Sequence, residues 1–395
     1  MVWWLGAAQH LPKIEAIRSA EHRLLQYARQ FGAPQVELRS VDTWIARSAV
    51  PLLQHSDIYE DHPDEYVIHS VQVHNDKAIQ KEVPLVLLHG YMNGAAYFYR
   101  NLAGLANYFQ DIHSLDLLGW GLSSRPKFLV DQAEDFFVES LEAWRRAHKM
   151  DKMILAGHSM GGYLSIAYCE KYPQHVERLI LISPVGVNEK DPERTEQFRQ
   201  RISSTWRGRI MLGLFQRMFD NAYTPGDLLR MMPERRTYGL IEGYVQRRVP
   251  AISDPDEQNA VADYLHRANQ LPGSGEYCLH RILDLTVHAH NPAVHRVPSL
   301  NVSRVTFLYG DNDWMDVNGG LESERLSKEK GGPHVEVYSV SKAGHLLMLD
   351  NWKEFNAGVM LGAGARVTEN RPQRLHPQLR KPESIDAVVA SSSLV

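Results

Sequence analysis

The chain of 395 residues has only two cysteines, Cys169 and Cys278. Two widely spaced cysteines make neither a disulfide framework nor a zinc site, which fits a reducing, cytoplasmic setting. No run of 18 apolar residues occurs, so no segment reads as membrane-spanning. The formal charge is only −4, and there is no global basic field for nucleic acid. The opening Met-Val-Trp-Trp-Leu-Gly-Ala-Ala is too short and too poor in basic charge for a secretory signal. A mitochondrial presequence is acid-poor, whereas Glu15 and Glu21 stand early in this chain. Trp3 and Trp4 could lie at a lipid interface or pack on the domain. No internal repeat is apparent, and no nucleotide or metal fingerprint is present, so no cofactor or metal is expected.

What is present is a core and a pattern. Hydrophobic residues make up 44% of the chain and charged residues 23%, a globular composition. Ile14, Ile17, Leu24, Leu25 and Ala28 predict a helix over 13–29. Strands are expected at 65–74, 83–88, 112–117, 152–156 and 176–183, with helices at 133–149 and 160–171. The alternation breaks between 189 and 290 and resumes with strands at 305–309 and 335–340. The expected fold is α/β: a mostly parallel central sheet with helices on both faces and a helical cap insertion. The divisions are an N-terminal helical extension (1–60), a first core part (61–189), the cap (190–290), a second core part (291–365) and a loose tail (366–395).

Gly157-His158-Ser159-Met160-Gly161 stands between a strand and a helix, the setting of a nucleophile elbow. That places Ser159 as a nucleophile on a tight turn. Two donors must face the oxyanion that such a nucleophile generates. The backbone N–H groups of Met160 and of Tyr91, just past His89-Gly90, are the candidates. His89 reads as a brace of that turn, and Asp116 as a brace of the neighbouring Leu117 to Ser124 loop.

The base and its orienting acid should follow at the exits of later strands. Composition does not choose among 19 histidines, but position favours His345, at the exit of 335–340. Asp313 is the favoured acid, in competition with Asp311 and Asp316 in the same turn. His345 also opens a His-x4-Asp sequence ending at Asp350, a form found in glycerolipid acyltransferases. Five residues along a helix turn about 140° around the axis, so the two would not share a face. A role at the start of the following helix, where Asn351 and Glu354 fit a capping box, is the favoured reading of Asp350.

The cap carries 12 Arg or Lys against seven Asp or Glu between residues 190 and 250. Ile210, Leu214, Phe215, Met218 and Phe219 can form one apolar face. A greasy, basic cap suits anionic lipid, and it suits packing on the core equally well. Ser274, in Gly273-Ser274-Gly275, lacks a strand and helix context and is no rival nucleophile.

Taken together, Pro84 to Gly90, Asp116 to Pro126, Phe137 to Trp144, Asp151 to Gly162 and His345 to Asp350 resemble one family. It is the lipid-metabolising α/β-hydrolase subfamily that contains the comparative-gene-identification-58 type lipase coactivator. It also contains N-acyl-phospholipid lipases and fungal and plant phospholipase or acyltransferase relatives. The resemblance covers roughly residues 60–365. It implies triad roles for Ser159, Asp313 and His345, and a phospholipid or lysophospholipid substrate. It also implies action at membranes, lipid droplets or mitochondria. The coactivator branch has Asn at the nucleophile position; Ser159 here implies an enzyme. Acyl-CoA becomes a co-substrate if the chain transfers acyl groups to lysophosphatidic acid rather than to water.

Overall fold

The computed structural model describes residues 5–32, 35–50, 58–59, 62, 64–128 and 133–376. Trp3, Trp4 and the tail beyond 376 lie outside them, as do the side chains of Leu214 and Phe215.

The core is a nine-stranded sheet in the order β1-β2-β4-β3-β5-β6-β7-β8-β9. Its strands are β1 (Leu38–Ala46), β2 (Glu65–His74), β3 (Leu85–Leu88), β4 (Asp111–Leu115) and β5 (Met153–His158). They continue with β6 (Val176–Ile182), β7 (Arg304–Gly310), β8 (His334–Val340) and β9 (Gln373–Leu375). Neighbours from β4 through β8 pair in parallel. The outer β1–β2, β2–β4 and β8–β9 pairs are antiparallel.

β3 is apolar throughout, and Met153–Ala156 of β5 and Leu179–Ile182 of β6 beside it are apolar runs, because both faces are covered. Side chains alternate between faces. Leu85, Leu87, Ile154, Ala156, Ile180 and Ile182 join one cluster with Leu102 and Phe355. Val86, Leu88, Leu155, Leu179, Leu181 and Phe307 join the other with Phe137, Trp144 and Leu164. Each Val, Leu, Ile or Phe side chain among them, fully buried, contributes roughly 1.5–3 kcal/mol of transfer free energy.

The covering helices are α1 (Leu5–Tyr27), α2 (Tyr99–Leu105), α3 (Ala133–Ala147) and α4 (Met160–Lys171). The expected cap is helical: α5 (Pro192–Ser203), α6 (Trp206–Asp220), α7 (Pro225–Met231), α8 (Glu234–Arg248), α9 (Pro255–Ala268) and α10 (Leu279–Ile282). Then follow α11 (Ala293–Arg296), α12 (Asn318–Lys330), α13 (Leu347–Asp350) and α14 (Trp352–Gly362).

Two parts of the chain differ from expectation. The N-terminal extension is not helical throughout: β1 pairs with β2 along its whole length. Its side chains are only partly buried, as on a sheet edge, and it shows no long apolar run. The tail is not loose from 366, because Gln373–Leu375 closes the far edge against β8.

Polar contacts seat the cap on the core loops. Asn269 Nδ2 donates to Met92 O at 3.0 Å. Ala96 N donates to the buried Tyr264 hydroxyl at 3.3 Å. Arg100 Nε donates to Glu257 of α9 at 2.8 Å. Helix α1 in turn rides on the cap, with Arg23 bound to Asp263 at 2.7 Å.

Candidate active site

The polar groups of interest cluster where the parallel strands end, as ligand sites do in such sheets. Ser159 follows β5 at φ 53°, ψ −115°, a conformation few non-glycine residues adopt. The surroundings enforce it. A Cβ on Gly157 would stand 2.3 Å from Gly161 O, and one on Gly161 would stand 2.6 Å from His89 O. Only glycines let strand, turn and helix pack this closely. Ser159 N donates to Ile182 O at 2.8 Å, locking the turn to β6. Met160 opens α4, so its N–H is one of the helix's unsatisfied first-turn donors. The turn after β3 presses against this elbow: a Cβ on Gly90 would lie 3.1 Å from Ser159 Cβ.

His345 follows β8. Its Nδ1 donates to Asp313 Oδ1 at 3.2 Å. That bond fixes the tautomer that leaves Nε2 as the free base. Asp313 follows β7, and its side chain is 1% exposed. Its carboxylate also accepts from Met315 N at 3.0 Å and from the Ser183 hydroxyl. Burial alone would raise the Asp313 pKa, but the facing His345 and these hydrogen bonds outweigh it and hold the acid below its ordinary value. His158, just before Ser159, donates Nε2–H to His345 O at 2.9 Å. The two rings lie 4.8 Å apart. Burial, with His345 beside it, pulls the His158 pKa down to about 3, so this ring stays neutral.

A family model for the alpha/beta hydrolase fold matches residues 83–351. The chain is 32% identical over 294 residues to an Arabidopsis thaliana protein named 1-acylglycerol-3-phosphate O-acyltransferase, covering 72% of this chain and 68% of that one. It is 33% identical to 1-acylglycerol-3-phosphate O-acyltransferase ABHD5 of Sus scrofa, covering 71% and 77%. It belongs to the lipid-metabolising α/β-hydrolase subfamily of the comparative-gene-identification-58 type. Carboxylesterase CesB from Bacillus subtilis shares the fold, with a TM-score of 0.52, 17% identity and coverage of 89% of this chain and 100% of that one.

In this α/β-hydrolase the rival acids have other partners. Asp311 accepts from Lys342 N at 2.9 Å and from Ala343 N at 3.0 Å, bracing the loop that carries His345. Asp316 accepts from Asn318 N at 2.9 Å at the start of α12. Asp350 does not serve the start of α14, as the sequence suggested. Asn351 takes the N-cap, accepting from Glu354 N at 3.3 Å. The Asp350 carboxylate turns back to accept Gly344 N–H at 2.9 Å. The Nδ1 of His345 is occupied by Asp313, so the two ends of the His-x4-Asp sequence are not joined through that nitrogen.

His89 is a brace. Its Nδ1 donates to Gly90 O at 2.7 Å and its Nε2 accepts from Leu117 N at 3.0 Å. Asp116 accepts from Ala95 N at 2.6 Å and Leu122 N at 2.7 Å, and so ties both site loops together. Ser274 donates to Pro126 O within the core. Cys169 and Cys278 are free and buried, and burial pushes both thiols up, so neither is a ready nucleophile.

Among the described residues, one group has the spacing for a metal: Glu21, His69 and Asp116, with ligand atoms within 4.8 Å of one another. Those atoms already have partners. His69 donates Nδ1–H to Asp42 at 2.6 Å and Nε2–H to Glu21 at 3.0 Å. Burial opposes a charged ring, yet the facing carboxylates raise the His69 pKa to about 10. The group is an ion-pair network that fastens α1 and β1 to β2.

Sequence reasoning missed Ser183. It stands at φ 42°, directly after β6, and is 130 residues from the acid it supports. The only local signal is its position at a strand exit on the same edge as the other site residues.

Proposed function

We propose that the chain is a serine carboxylic-ester hydrolase that releases fatty acid from a glycerophospholipid or lysophospholipid. The observation that carries this reading is the Asp313–His345 bond, on the strand exits beside the Ser159 elbow. His345 Nε2 takes the proton of the Ser159 hydroxyl as Oγ attacks the ester carbonyl. The N–H groups of Met160 and Tyr91 receive the oxyanion. Collapse expels the glycerol alkoxide, which takes the proton from His345 and leaves an acyl-serine. Water, deprotonated by the same histidine, attacks the acyl-serine and frees the fatty acid and Ser159. No cofactor or metal enters this scheme.

The names of the relatives favour a second reading within the same machinery. A lysophosphatidic acid hydroxyl could replace water as acceptor, with acyl-CoA as the acyl donor. The rival in which the chain only activates another lipase, as the coactivator branch does, is disfavoured by the serine at 159.

The cap supports a lipid surface as the working environment, peripheral on a membrane or lipid droplet. Trp206 and Ile210 on α6 and Met231 on α7 are 62%, 56% and 72% exposed, in a segment rich in arginine. No helix among the described residues is long and apolar enough to cross a membrane.

A panel of lipid classes, run on wild type and Ser159→Ala with and without acyl-CoA, tests the reading. Fatty-acid release from phospholipid that disappears in Ser159→Ala is the expected result. Release unchanged in that variant would overturn it. Product that appears only with acyl-CoA would favour transfer over hydrolysis.

A further inference from the structure

We propose that Asp350 is a positioning residue, whose carboxyl holds the Gly344 backbone N–H and thereby sets the loop that aims His345. The proposal rests on the serine-hydrolase reading and adds a residue to it. It gives the His-x4-Asp sequence a meaning in which Asp350 never orients the imidazole.

The geometry supplies one oxygen for this task. Asp350 Oδ2 accepts from Gly344 N at 2.9 Å, one residue before His345. Asp350 Oδ1 is buried without a hydrogen-bond partner among the described residues. A carboxylate that oriented an imidazole would face a ring nitrogen, whereas His345 Nδ1 faces Asp313 at 3.2 Å.

The short helix that ends at Asp350 is itself pinned. Arg100 Nη1 donates to Leu349 O at 3.1 Å, and Asn101 Nδ2 donates to Met348 O at 3.0 Å. The support therefore runs from α2 through α13 to Gly344, and both residues of the active turn, Gly344 and His345, are held through their backbone. Gly344 N is held by Asp350, and His345 O is held by His158 at 2.9 Å. Burial raises the Asp350 pKa to about 6, against the Gly344 bond and the nearby Arg100, which lower it. An acid with one accepting oxygen and one unpartnered oxygen is mimicked by an amide: the amide oxygen can accept the same N–H.

The experiment uses the full chain and a soluble short-chain ester, comparing Asp350→Ala, Asp350→Asn, Asp313→Asn and Ser159→Ala. The readouts are kcat, KM and the low-field proton NMR signal of the Asp313–His345 hydrogen bond. Misplacing a catalytic group by about 1 Å costs about 100-fold, so Asp350→Ala should lower kcat about 10- to 100-fold with KM little changed. It should also broaden or remove the low-field signal. Asp350→Asn should recover most of the lost turnover and restore the signal, while Asp313→Asn should not.

Two results would overturn the proposal. One is Asp350→Asn losing as much turnover as Asp313→Asn, which would mean that the charge itself is needed. The other is Asp350→Ala turning over like wild type with an intact signal. If Asp350→Ala does not fold, the comparison of the two asparagine variants still decides. If Ser159→Ala keeps its activity, the hydrolase reading fails, and the NMR signal still reports whether Asp350 holds the histidine loop.

Discussion

Replacing Asp313 by Asn tests how much of the chemistry depends on the buried acid. Asp313 accepts from His345 Nδ1, Met315 N and the Ser183 hydroxyl, and its side chain is 1% exposed. An amide has nearly the same shape, so the fold should survive. Its NH2 group cannot accept: at the Oδ1 position it strands both His345 Nδ1–H and Met315 N–H, and at the Oδ2 position it meets the Ser183 hydroxyl, which must turn to accept. If the NH2 faces His345, the imidazole must present an acceptor at Nδ1 and carry its proton on Nε2, the atom that has to deprotonate Ser159. The charge that would stabilise the imidazolium during attack is also gone. In a serine protease triad the equivalent change lowers kcat about 10⁴-fold, or roughly 5.5 kcal/mol. We expect kcat for a fluorogenic ester to fall about 10³- to 10⁴-fold, with KM within about twofold of wild type. Asp311→Asn and Asp316→Asn, made in parallel, should each stay within about tenfold, because neither carboxylate meets His345: Asp316 accepts a backbone N–H that an amide oxygen can also serve, and Asp311→Asn keeps one of the two backbone N–H bonds that brace the loop. A loss below about tenfold in Asp313→Asn, or an equal loss in Asp311→Asn, would refute the assignment.

Ser183→Ala removes one donor from Asp313 and should lower kcat about tenfold, the order expected for a hydrogen bond to a charged group; a rate equal to wild type would make Ser183 a bystander. The His69 pKa is raised to about 10, so its ion pairs contribute stability that is complete below its ordinary 6.5 and is lost as pH rises through 10. Tm should therefore fall between pH 7 and 10, and His69→Gln should start lower and flatten that slope; an unchanged slope in the variant would refute the network's role. Trp206→Ala combined with Ile210→Ala should weaken sedimentation with phosphatidic acid vesicles and leave hydrolysis of a soluble ester unchanged; equal sedimentation would remove the cap from the lipid contact.

The central architecture was legible because its signals are local. Leu85 to Leu88, Met153 to Ala156 and Leu179 to Ile182 are apolar runs of strand length, and the Ser159 turn carries its glycines within five residues. Asp313 and His345 followed from strand exits and chain order. Beyond these, the contacts are distant in sequence. Ser183 meets Asp313 across 130 residues, and His158 meets His345 across 187, so no window contains either pair. The edge strand β1 includes Arg39 and Asp42 and lies half-buried, which blurs the apolar signal that betrays a central strand. β9 is three residues long and takes its register from β8. Asp350 was the misleading case. Its position before a helix suggested a cap, while the break at Asn351 lets its carboxylate reach back to Gly344 instead.

The most direct test of the account is to trap the acyl-enzyme. Wild type mixed with a lysophospholipid and quenched in acid within the first turnover should carry one acyl group on the peptide containing Gly157 to Gly161, at Ser159, and Ser159→Ala should carry none. Fatty acid released without any acylated Ser159, and at an equal rate from the variant, would contradict it.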